Sequence, residues 1–240
     1  MDSELILALE SSAGACSAAL CRGEEPVAQF WQNSGLTHSR TLLPMVDALL
    51  RESGHTLEEV GLIAVAAGPG SFTGLRIGVA TAKGLAWPGD KPCAPCSTLE
   101  SMAWPLAHLV GQVILCAMDA RRGQVYNALF RADGRGLERL TPDRAITLEE
   151  LGRELKNDKN PKIVVGDGAK LCYNTLTEQN IPLTLAPPHL RQQSAWGVAR
   201  AALALRERGG LVRGRELVPV YHRLSQAERE RLAREQASKN

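Results

Sequence analysis

Displacing the chain by 109 positions lays Ala8 on Ala117, Glu10 on Asp119, Gly14 on Gly123, Ala19 on Ala128 and Leu20 on Leu129. Each pair has one role: strand, acid at the strand end, turn glycine, returning strand. In the first half, ELILALES, ACSAALC and PVAQFWQ read as an antiparallel meander turning at Ala13-Gly14 and Gly23-Glu24-Glu25. LTHSRTLLPMVDALLRESG follows as a helix with Leu42, Val46 and Leu49 on one face, Leu43 and Leu50 beside them, Pro44 in its first turns and Gly54 as its stop. LIAVAAG is a strand of the kind buried on both faces, and a glycine-rich helix comes next. The second half repeats this order: VILCAMDA, QVYNALFRADG and LERLTPDRAIT as strands, LEELGRELKN as a helix, then KIVVGDG and AKLCYNTLTEQ. The expected fold is α/β, two similar βββαβα lobes from an internal duplication, with a cleft between them. The first lobe is expected at 1–108 and the second at 109–193, the seam lying near Trp104 to Gly111. SAWGVARAALALRERGG forms a helix at 194–209, capped by Ser194 and expected to return to the first lobe. A C-terminal segment and charged tail occupy 210–240, and residues 225–240 carry too few apolar side chains to predict packing.

At 240 residues such a chain can bury a sizeable core, and a formal net charge of +2 predicts neither a nucleic-acid nor a membrane partner. MDSELILALESS lacks the basic start and long apolar run of an export signal, and no apolar stretch is long enough to span a bilayer. Six cysteines without such a signal are expected as reduced thiols in the cytoplasm. Cys93 and Cys96 form a lone CxxC, which would need a helix start after Cys93 for redox work, or a second Cys/His pair for zinc.

The stretch GPGSFTGLRIGVATAKGLAW, 68–87, opens like a phosphate loop. It has no lysine directly after paired glycines, and Gly68, Gly70 and Gly74 give GxGxxxG rather than the dinucleotide fingerprint. A strand, a Gly-Pro-Gly-Ser turn and a helix N-terminus still offer bare N–H groups to an anion. Gly74, Gly78, Ala82 and Ala86 recur every fourth residue, a stripe where another backbone can come close. Two interior glycines cost about 1 kcal/mol each against alanine, so an offsetting contact is expected. Packing on the lobe's own sheet is one such contact. A protein partner is the other, because Leu42, Met45, Val46 and Leu49 give the preceding helix a broad apolar face.

The duplicated lobe resembles the actin-like superfamily. Within it, ILALESSAGACSAAL, HSRTLLPMVDALL, GPGSFTGLRIGVATAKGLA, STLESMA, DARRGQVYNALF and PVYHR together resemble the TsaB family, also called YeaZ. The resemblance covers nearly the whole chain except the tail. It implies a non-catalytic protein that binds and stabilises TsaD, alongside the ATPase TsaE, in making threonylcarbamoyladenosine beside the tRNA anticodon. It implies no cofactor, contact with tRNA only through the complex, and a homodimer when TsaD is absent. The interface it implies comprises His38, Leu42, Met45, Val46, Leu49, Gly74, Arg76, Gly78 and Ala82, with Gly78 facing outward.

The resemblance also implies a lost metal site. Where TsaD-type relatives carry two ligand histidines four apart, this chain has Thr98 and Met102, which cannot replace two imidazoles. No two of His38, His55, His108, His189 and His222 are three or four apart, and no HExxH is present for a peptidase. Ser11, Ser12, Ser71 and Thr73 stand in no nucleophile elbow and read as caps and turns. Glu10 with Ser11 and Ser12, and Asp119, mark two vestigial phosphate hairpins; Glu10 stands where the family usually has aspartate, and Arg121-Arg122 follow Asp119 without a glycine-rich turn. The rival reading is an actin-like nucleotide-binding enzyme, an ATPase or phosphotransferase, or a glycoprotease-like peptidase.

Overall fold

The two halves build sheets of the same strand order, in a computed structural model that describes residues 4–223. In the first, β1 (Leu5–Glu10), β2 (Cys16–Arg22) and β3 (Glu25–Gln32) form the antiparallel meander, and β4 (Val60–Gly68) and β5 (Pro92–Ser97) extend it in parallel beyond β1. Helix α1 (His38–Ser53) joins β3 to β4, and α2 (Phe72–Ala86) joins β4 to β5. After α3 (Thr98–Ala103), the second lobe runs through β6 (Val113–Arg121), β7 (Gln124–Ala132), β8 (Leu137–Arg139), β9 (Arg144–Thr147), α4 (Leu148–Leu155), β10 (Lys162–Val165), α5 (Ala169–Thr177) and β11 (Leu183–Leu185). Its sheet order, β11-β10-β6-β7-β8, repeats that of the first lobe, β5-β4-β1-β2-β3. A short α6 (Pro188–Arg191), α7 (Ala195–Glu207) and β12 (Val212–Arg213), which pairs with β5, follow.

Local chemistry accounts for the helix ends. Gly54 closes α1 in the left-handed conformation, its amide bonded to the Arg51 and Leu50 carbonyls, and Thr147 with Glu150 forms a capping box on α4. The meander is buried on β1 and β2 but not on β3, whose Val27, Phe30 and Trp31 are exposed.

Four apolar clusters result, one on each face of each sheet. Helices α1 and α2 cover the outer face of the first sheet with Leu42, Val46, Leu49, Val79 and Ala82, and α4 and α5 cover that of the second with Leu151, Leu155, Cys172 and Leu176. The inner faces are filled by exchange. Leu99, Met102 and Ala103 of α3 leave the first lobe to pack on β6 and β7, while Val198, Ala199, Ala201 and Ala202 of α7 return to the first sheet. The two exchanged helices cross at Gly197, where any Cβ would overlap the Ser101 carbonyl. Around this crossing, buried Glu100 accepts from Arg139 at 2.9 Å and from Arg208 at 3.0 Å, and Ser97 donates to Asp143 at 2.5 Å, so α3, α7 and the second lobe share one ionic network.

A last segment crosses between lobes. Leu217 is buried in the outer cluster of the first lobe, the Val220 amide donates to the Ala67 carbonyl at 2.7 Å, and Tyr221 stacks on Phe72 at 4.8 Å. The Arg76 guanidinium lies over the same Phe72 ring and donates to the Tyr221 hydroxyl, and Arg223 then reaches the Ala120 carbonyl of the second lobe.

The lone CxxC lacks the helix start that redox work needs, and one expected strand is corrected to two. PCAPC is strand β5, so Cys93 and Cys96 point to opposite faces of the sheet, one in each cluster, and no helix begins after Cys93. Burial raises both thiols, that of Cys93 to about 11, which disfavours thiolate chemistry. LERLTPDRAIT splits into β8 and β9, which pair with the two ends of β7. Residues 225–240 lie outside the described ones.

Replacing Gly197 with alanine forces a Cβ into the Ser101 backbone. The expected cost is about 1 to 3 kcal/mol or more, read as a lower urea midpoint for the whole chain, whereas Gly84→Ala, in a helix where no atom lies near the new Cβ, should not lower it.

Candidate functional site

The ends of β1 and β6 meet a cleft of about 400 Å³ lined by Ser12, Ala13, Gly14, Gly70, Ser71, Met118, Asp119, Ala120, Arg121, Tyr126 and Asp167. The duplication places it, since both strand-end turns open toward the line between lobes. The turn leading into α2 is fixed by backbone contact. The Ser71 amide donates to the Ser12 carbonyl at 2.7 Å, and a Cβ on Gly70 would collide with Ser12. Ser71 then caps α2 by accepting from the Gly74 amide.

Glu10 and Asp119, the acids paired by the duplication, have different surroundings. Asp119 lines the cleft and accepts from the Arg121 amide at 2.7 Å. Glu10 is fully buried; one carboxyl oxygen accepts from the Ser12 amide at 2.6 Å and the other has no partner. Burial pushes its pKa up from an ordinary 4.5 to about 7, against the lowering effect of the Ser12 hydrogen bonds. Ser11 does not reach the cleft; its hydroxyl donates to the Gly74 carbonyl at 3.0 Å and fastens β1 to α2. Ser12 lines the cleft with a buried hydroxyl that has no partner.

Asp167 escaped the sequence reading. It follows strand β10 in Gly166-Asp167-Gly168, accepts from Gln193 at 2.9 Å, and its carboxyl is raised, chiefly by burial. The signal was an acid between two glycines directly after a buried strand, at the place where the first lobe has Pro69. Thr98 and Met102 are buried residues of α3, with Met102 in the inner cluster of the second lobe, and neither lines the cleft. Among the described residues, no group of three or more His, Cys, Asp or Glu side chains is placed to hold a metal ion. No helix among them is long and apolar enough to cross a membrane.

The surface formed by α1 and α2 corrects the interface expected from the sequence. Gly74, Gly78 and Ala82 are buried against their own sheet: a Cβ on Gly74 would overlap the Ser11 carbonyl, and one on Gly78 would strike the Ser11 hydroxyl and crowd Val65. Leu42, Val46 and Leu49 likewise point into the core. His38 is half-buried, and its Nε2–H donates to the Ala13 carbonyl at 2.6 Å, holding α1 to the first hairpin. Of the expected set, Arg76 is exposed and Met45 partly so. The outward stripe of α2 is Arg76, Ala80 and Gly84, with Trp87 83% exposed at its end, and the outward face of α1 carries Leu43, 54% exposed. Nothing lies within 4 Å of the place a Gly84 Cβ would take.

Two lobes of like strand order around a cleft, each sending a helix to the other, define an actin-like α/β protein. The family model described as "TsaD: tRNA N6-adenosine threonylcarbamoyltransferase" matches residues 33–203. The protein named "tRNA threonylcarbamoyladenosine biosynthesis protein TsaB" of Bacillus subtilis (strain 168) is 33% identical over 223 residues, 93% of this chain and 96% of that one. Its namesake of Haemophilus influenzae is 34% identical over 191 residues, covering 75% of this chain and 79% of the relative. The solved structure of YeaZ from Pseudomonas aeruginosa superimposes with a TM-score of 0.77 at 26% identity, covering 91% of this chain and 99% of that one. The chain belongs to the TsaB (YeaZ) family.

The Glu10 carboxyl gives a pH signature. Because its folded pKa of about 7 exceeds its ordinary 4.5, the folded state holds a proton that the unfolded state has lost between these values, and stability falls as pH rises from 4.5 through 7. Glu10→Gln keeps the shape without the charge. The variant should match the parent in urea unfolding at pH 4.5 or below and exceed it at pH 8, by up to about 3 kcal/mol.

Proposed function

We propose that this chain is a non-catalytic partner of the threonylcarbamoyl transferase TsaD in the synthesis of N6-threonylcarbamoyladenosine on tRNA, and that it docks through the outward faces of α1 and α2. One observation carries the reading. In a chain that the transferase family's own model matches from residue 33 to 203, the two adjacent helices near the start of that span turn Leu43, Ala80, Gly84 and Trp87 to solvent. Two related folds that each present this helix pair can meet face to face in a four-helix contact, and the same patch can pair with itself when TsaD is absent. Small residues at Ala80 and Gly84 allow the backbones to approach closely, while Leu43 and Trp87 supply apolar area at the rim. Arg76 and Met45 border the contact; TsaE and tRNA join through the assembled complex. Support for a silent chain comes from the residues at the older catalytic positions, since Glu10 is buried with its charge disfavoured and Thr98 and Met102 are core residues.

A pair of glycine variants separates docking from folding. Gly84→Leu adds a side chain into open space, so the isolated chain should unfold no earlier than the parent and gain about 1 kcal/mol of helix propensity, yet its affinity for purified TsaD should fall at least about tenfold. Gly78→Leu should instead unfold early, because the new side chain meets Ser11 and Val65. Titration calorimetry and thermal melts read both. Unchanged TsaD affinity in Gly84→Leu removes the α1–α2 surface from the reading, and turnover of MgATP by the isolated chain replaces it with an ATPase.

A further inference from the structure

Buried polar atoms without partners gather at one place. Of the six such side-chain atoms among the described residues, three belong to the surroundings of the interlobe cleft: Ser12 Oγ, Glu10 Oε2 and Gln193 Oε1. Ser12 lines the cleft and is fully buried. Glu10 accepts from the Ser12 amide, and Gln193 donates to Asp167, which also lines the cleft. Buried groups left unbonded by a folded chain mark places where a ligand or ordered water completes the bonding.

The walls differ in charge. The second lobe contributes the carboxylates of Asp119 and Asp167, and the Arg121 guanidinium, 3.7 Å from Asp119 and mostly in solvent, is the single cation among the lining residues. The first lobe contributes Gly70 and Ser71, which lead into the fifteen-residue α2, whose first amides have no intrahelical acceptor. That end favours an anion. Met118 and Tyr126 add apolar surface on the second lobe's side.

We propose that this cleft binds an α-amino acid as its zwitterion, with the ammonium group against Asp119 and Asp167 and the carboxylate at the start of α2, where the free Ser12 hydroxyl donates to it. Both ends of the ligand find opposite charge, and the unbonded hydroxyl finds an acceptor. A polyphosphate would face two carboxylates with no lysine among the lining residues, and a bare divalent cation would lack a third ligand and face the positive end of α2. Binding involves no bond making or breaking, and it holds whether or not the chain docks on TsaD.

The test is calorimetry and thermal shift on the full chain alone, with glycine and L-threonine as probes, methylammonium chloride and sodium acetate as the two half-molecules, and MgCl₂ and MgATP as rivals. At least one amino acid should bind with a Kd of about a millimolar or tighter and raise the melting temperature, while neither half-molecule does so at equal concentration. Asp167→Asn removes the charge but keeps an oxygen for Gln193, so it should fold normally and bind about tenfold or more weakly; Asp119→Asn serves as the second variant. The proposal is overturned by silence from both amino acids, by unchanged affinity in both variants, by methylammonium binding as well as the amino acids, or by MgCl₂ or MgATP binding more tightly than they do.

Discussion

The crossing of α3 and α7 at Gly197 and Ser101 holds the two halves as one molecule. Each sheet has an inner face that its own lobe leaves uncovered, and each lobe covers the other by exporting a helix. The exchange works only if the exported helices also pass each other in the narrow space between sheets. The absent side chain at Gly197 provides that clearance, and the Glu100 carboxylate, shared by Arg139 and Arg208, fixes the angle at which they pass. The cleft, its acids and the turn before α2 keep their mutual geometry because this contact sets how the lobes meet.

Much of this was legible in the chain. The 109-residue displacement contained the topology, because a strand-end acid and a turn glycine repeat wherever a supersecondary unit is copied. What sequence could not give was direction. In α2, small residues occupy two stripes, Gly74, Gly78 and Ala82 on one and Ala80 and Gly84 on another, and period alone does not say which meets the sheet. Leu75 and Val79 settle it: they flank the first stripe and are buried, so the glycines beside them go inward with them. Strand β5 was hidden by its two prolines, which a strand next to the sheet's edge tolerates.

The site was read in part for a related reason. Glu10 and Asp119 were found by alignment of the halves, but alignment equates positions and not environments: one acid is sealed under the hairpin and the other opens to the cleft. Asp167 has no partner in the first lobe, where proline takes its place, so the duplication that exposed the other two concealed it.

The segment from Leu217 to Arg223 bears on how the lobes can move. Two bodies joined along one line can still swing about that line, as a door does on its hinge. A second attachment away from the line cancels the swing. The α3–α7 contact is the first attachment, and the Val220 bond, the Tyr221 stack and the Arg223 bond to Ala120 make the second, at the mouth of the cleft. Opening the cleft therefore means breaking the Arg223 bond to Ala120, by which this segment, seated on the first lobe through Val220 and Tyr221, ties itself to the second.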